Sequence, residues 1–64
     1  MKQADTLILG DTIYWLGHSA TVTLKAHDGT TGEVELTVAL PAGAFDTFRV
    51  PATQLLAEPE DITP

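Results

Sequence analysis

The most regular feature of this chain is a two-residue alternation of apolar and polar side chains in two consecutive stretches. From Ser19 to His27, Ala20, Val22, Leu24 and Ala26 alternate with Ser19, Thr21, Thr23, Lys25 and His27. From Glu33 to Leu40, Val34, Leu36, Val38 and Leu40 alternate with Glu33, Glu35, Thr37 and Ala39. A period of two marks a strand with one buried face. Between them "DGTTG", Asp28 to Gly32, supplies two glycines and an aspartate able to bond its own backbone, so a hairpin loop is expected. Pairing His27 with Glu33 sets Ala26 opposite Val34, Leu24 opposite Leu36, Val22 opposite Val38 and Ala20 opposite Leu40. The same register sets Lys25 across from Glu35 and Thr23 across from Thr37. All eight apolar side chains then share one face, and a slip of one residue would expose them.

The flanking segments extend this hairpin. "TIYWL", Thr12 to Leu16, is rich in β-branched and aromatic residues and is closed by Gly17, so it reads as a strand with Ile13 and Trp15 on one face and Tyr14 on the other. After the breaker "PAG", "AFDTFRV" (Ala44 to Val50) reads as a further strand with Phe48 and Val50 inward and Phe45 near its start. Pro51 ends it, and "ATQLL" (Ala52 to Leu56) leaves room for one tight 3-10 turn before a last short strand. Residues 1–57 are thus expected to form a single small domain and 58–64 an acidic, flexible tail. Short strands, frequent turns and no amphipathic helix predict an all-β fold, an antiparallel barrel of about five strands or a strongly bent sheet.

In this order and spacing, "GDTIYW", "ATVTLKAHDG", "EVELTV" and "FRVPATQLL" resemble the Src-homology-3-like small barrels, the group that includes Tudor and KOW-type modules. In that group a Gly-Asp pair opens the barrel ahead of an apolar-x-aromatic strand, and a valine, one helical turn and leucines close it. The likeness spans Leu9 to Ala57, with Leu55 or Leu56 placed to plug the barrel's mouth. It implies a groove lined by aromatic and acidic side chains beside the loops. Asp11, Tyr14, Trp15, Phe45 and Asp46 are the candidate binding residues, their ring faces and carboxylates suited to a cationic ligand. Against this, a domain with so few aromatic residues needs Trp15 and Phe48 for its core, which leaves Tyr14 as the contact residue if Ile13 points inward.

Composition narrows the function classes. Nine acids against three cations give a net charge of −6, which argues against nucleic acid and against an anionic membrane surface. The absence of cysteine removes disulfides and thiolate metal sites, and suits a reducing, cytoplasmic setting. His18 and Ser19 are adjacent on a strand and point to opposite faces, so they make no catalytic dyad. His27 beside Asp28 lacks further metal ligands nearby, and Gly29 and Gly32 belong to a hairpin and not to a phosphate loop. No catalytic residue, metal or cofactor is expected. The expected function is a non-enzymatic interaction module or accessory subunit that binds a protein partner, another copy or a larger complex. The alternative is an acidic inhibitor that mimics nucleic-acid charge, as small phage-encoded inhibitors do. A third reading is an oligomeric enzyme with a site on a symmetry axis. The resembled fold offers the plasmid-borne trimethoprim-insensitive reductase as precedent, but the reactive segment of that family has no counterpart in this chain.

Overall fold

The structure, a computed structural model, describes residues 1–62. The order is β1 (Lys2–Gln3), a 3-10 turn (Ala4–Thr6), β2 (Thr12–Trp15), β3 (His18–Asp28), β4 (Glu33–Ala39), a second 3-10 turn (Pro41–Gly43), β5 (Phe45–Pro51), β6 (Leu55–Leu56) and α1 (Pro59–Ile62). All strand pairs are antiparallel. They form a four-stranded sheet ordered β2-β3-β4-β5 and a two-stranded sheet of β1 and β6. The expected all-β class holds, in two sheets of which neither closes on itself. A main-chain bond ties the two together: Tyr14 N–H of β2 donates to the carbonyl of Ala57, next to β6 (2.8 Å). Among the described residues no helix is long and apolar enough to cross a membrane.

The inner face of β4 lies where its alternation puts it, with Val34, Leu36 and Val38 buried. Ile13, Ala20 and Val22 face them from β2 and β3, Leu7 from the N-terminal segment and Leu56 from β6. Phe48 and Val50 point inward as expected and are half-buried against this cluster. Of the two leucines proposed as a plug, Leu56 is buried and Leu55 is half-exposed.

The register of the central hairpin differs from the expected one. Val22 does pair with Val38, but beyond it the register shifts, so that Leu24 pairs with Thr37, Lys25 with Leu36, Ala26 with Glu35, His27 with Val34 and Asp28 with Glu33. The extra residue is Thr23, whose hydroxyl donates to the Thr37 carbonyl at 3.1 Å. Beyond this bulge every side chain of β3 changes face, so Leu24 is turned outward at 64% exposure. The physical gain is at Lys25. Its ammonium reaches the carbonyls of Asp5 (2.7 Å) and Leu7 (2.8 Å), from a position whose register partner is the buried Leu36. These charge-assisted bonds hold the N-terminal segment against the sheet, a contact no local pattern reveals. A bulge also increases local twist, which helps the sheet curl.

One further expectation changes. The 3-10 turn predicted before the last strand is a single hydrogen-bonded turn, Gln54 N–H to the Pro51 carbonyl (2.9 Å), and the 3-10 turns lie at Ala4–Thr6 and Pro41–Gly43. Within the segment read as a tail, Pro59–Ile62 make one helical turn that touches β2, and Asp61 pairs with the N-terminal amine at 2.8 Å. The last two residues of that segment, 63 and 64, lie outside the described residues.

Candidate functional site

Trp15 and Asp46 sit on β2 and β5, the two edges of the four-stranded sheet. With strands about 4.8 Å apart, those edges would be about 14 Å apart in a flat sheet. Instead the Trp15 indole stacks on Phe48, centroids 3.7 Å apart and planes at 16°. Its Nε1–H donates to Asp46 Oδ2 at 2.7 Å. The sheet is therefore curled until side chains of its edges meet, and Trp15, Asp46 and Phe48 form a strap across the opening. The indole is half-buried and its one donor is occupied.

The other three candidate residues are not gathered around this strap. Phe45 precedes Asp46 in the strand and points to the outer face, 66% exposed. Tyr14 also lies on the outer face of the sheet, half-buried, on the strand that α1 touches. Asp11 shapes the turn before β2: its Oδ2 accepts Ile8 N–H at 3.0 Å and lies 3.6 Å from Lys2 Nζ. The five residues thus occupy different surfaces, with Trp15 and Asp46 the only pair among them joined by a hydrogen bond.

A different surface emerges where the β2–β3 and β4–β5 loops lie together. Thr21 pairs with Ala39, so the loop before β3 and the loop after β4 project from the same end of the sheet. The two segments that build this end, residues 12–24 and 36–45, contain none of the chain's charged side chains. Between Trp15 and His18, which pair, Leu16 (φ 53) and Gly17 (φ 82) form a two-residue loop with both angles positive. That is the type I′ hairpin, which favours Asn-Gly and places a leucine at a cost of about 1–2 kcal/mol. Leu16 is nonetheless 64% exposed at the tip. In the neighbouring loop Ala42 is also left-handed, at φ 64 and ψ 23, between Pro41 and Gly43. The pattern was visible in sequence only as two long runs without charge; that they converge follows from the strand order.

Comparison with protein-family models, curated proteins and solved structures gives no match.

The opposite end of the sheet carries charge. Arg49 on the outer face of β5 reaches Glu35 (3.1 Å), Asp28 (3.3 Å) and Glu33 (4.0 Å). Asp28 also accepts the amides of Thr30 (2.9 Å) and Thr31 (3.3 Å), closing the β3–β4 loop. Those bonds, that from Thr30 foremost, hold its carboxyl below the usual carboxylate range. A carboxylate lowered by folding adds stability above the ordinary carboxylate range and loses it as pH falls through the folded value. Asp28→Asn should therefore flatten the acid limb of the stability-versus-pH curve, measured by thermal melts from neutral pH downward. An unchanged acid limb would show that Asp28 is not part of the acid sensitivity. His18 and His27 are both exposed, and among the described residues no cluster of His, Asp or Glu could hold a metal ion.

Proposed function

We propose that the chain is a Src-homology-3-like small barrel acting as a non-enzymatic interaction module or accessory subunit, which docks a protein partner on the uncharged end of its sheet. The barrel reading is supported by the strap from Trp15 to Phe48 and Asp46 and by the bond from Tyr14 to Ala57. The docking reading is carried by Leu16, an exposed leucine kept in a left-handed hairpin position where asparagine would be both less strained and better solvated. An apolar side chain retained against both preferences is suited to insert into an apolar pocket of a partner. Charge mimicry has less support, because Asp28, Glu33 and Glu35 converge on Arg49, Asp11 and Glu58 on Lys2, and Asp61 on the N-terminal amine.

The test separates stability from binding. Leu16→Asn should stabilise the domain by about 1 kcal/mol, raising Tm by about 5 °C. The same variant, used as bait in a lysate of the source organism beside the wild-type protein, should lose the partner that the wild type retains. A more stable variant that keeps every partner would remove this end of the sheet from the interface.

A further inference from the structure

We propose that the chain forms a two-fold homodimer by antiparallel pairing of the open edge of β5 with its copy, in the register that sets Thr47 opposite Thr47 of the second copy. The proposal is independent of the partner surface around Leu16.

The direction of the β5 backbone groups follows from one bond. Leu40 N–H donates to the Ala44 carbonyl at 2.8 Å. That makes 40 and 44 a hydrogen-bonded pair of the antiparallel ladder that continues through Val38↔Asp46, Leu36↔Phe48 and Val34↔Val50. Alternation then turns the N–H and C=O groups of Phe45, Thr47 and Arg49 away from β4. Among the described residues no hydrogen bond reaches them. By contrast, the edge of β2 is short and its Tyr14 N–H is already bonded to Ala57. β5 also lacks most of the usual protections of an edge, its one inward-pointing charge, Asp46, being bonded to Trp15. It has no bulge, no lysine and no proline before Pro51.

The strand is complementary to itself in one register. With Thr47 on the axis, Phe45 faces Arg49 of the second copy and Arg49 faces its Phe45, each pair exchanging two main-chain bonds. On the outer face the guanidinium, already steadied by Glu35 at 3.1 Å, then lies beside an exposed ring in a cation–π arrangement. Neighbouring registers are worse. One puts Asp46 against Asp46, another Arg49 against Arg49, and a third sets Phe45 against Pro51, which has no N–H to give. An isologous contact of this kind closes as a dimer. Both copies carry a charge of −6, so their long-range repulsion opposes association and added salt should strengthen it.

Sedimentation equilibrium should detect the dimer at protein concentrations up to about 1 mM, and several-fold tighter in about 0.5 M than in about 0.05 M salt. Amide exchange should show protection of Phe45, Thr47 and Arg49 that grows with concentration, while that of Asp46 and Phe48 stays constant. Thr47→Lys sets like charges face to face on the axis and should weaken the dimer about tenfold or more with the monomer fold intact. Phe45→Glu should keep the dimer, because the new carboxylate meets Arg49 of the second copy. A monomer throughout this range, or exchange at the three outward amides that ignores concentration, would overturn the proposal. So would loss of the dimer in Phe45→Glu, which would mean that an apolar patch and not the paired edge drives association.

Discussion

Replacing Leu36 by alanine is expected to cost about 2–5 kcal/mol, lowering the urea midpoint more than any substitution on the outer face. Leu36 is fully buried on the central strand β4, between Lys25 on one neighbour and Phe48 on the other. Its removal leaves a cavity that strands paired on both sides cannot collapse into. A domain of this length has a total stability at the low end of about 5–15 kcal/mol, so one such loss is a large fraction of the whole. Leu24 supplies the control. In an unbroken hairpin it would sit opposite Leu36 inside the core, and Leu24→Asp would be as damaging as Leu36→Ala. With the bulge at Thr23, Leu24 is 64% exposed, and Leu24→Asp should shift stability by no more than about 0.5 kcal/mol. Urea titrations of the two variants, fitted with a common m value, measure both. Comparable losses at both positions would mean that β3 carries no bulge.

The bulge marks where reading from sequence reached its limit. The strands themselves were legible because each buries one face, and on β4, paired on both sides, the alternation leaves a single choice of inner face. On β3 the pattern Val22, Leu24, Ala26 is locally consistent with an unbroken strand. What overrides it is Lys25 meeting carbonyls at Asp5 and Leu7, eighteen or more positions away. Leu7 shows the same limit: "TLIL" announces apolar residues, yet only tertiary packing decides that Leu7 is buried while Ile8 and Leu9 stay exposed. Among the candidate site residues, the chemistry of Trp15 and Asp46 was legible and their mutual contact was not, since it spans 31 positions and depends on how far the sheet curls. Nothing in the sequence distinguishes Leu16, because an exposed leucine in a loop is ordinary until its backbone angle is known.

The strap across the sheet gives the second large effect. Trp15→Ala removes an aromatic ring packed against the core, its stack on Phe48 and the only side-chain bond that joins β2 to β5 among the described residues. The expected loss is about 3–5 kcal/mol. Because the ring spans the two edges, its removal should also loosen them: amides of Thr12 to Trp15 and of Phe45 to Phe48 should exchange faster than those of β4. The hydrogen bond separates from the ring by a double-mutant cycle. Trp15→Phe keeps an aromatic face for Phe48 and leaves Asp46 without its donor, and Asp46→Ala removes the acceptor alone. A bond from an indole N–H to a half-buried carboxylate should give a coupling of about 1.5–3 kcal/mol. A coupling near zero would assign the strap to ring packing alone. Equal exchange of both edges and the centre in Trp15→Ala would show that the backbone ladder, without the strap, holds the curl of the sheet.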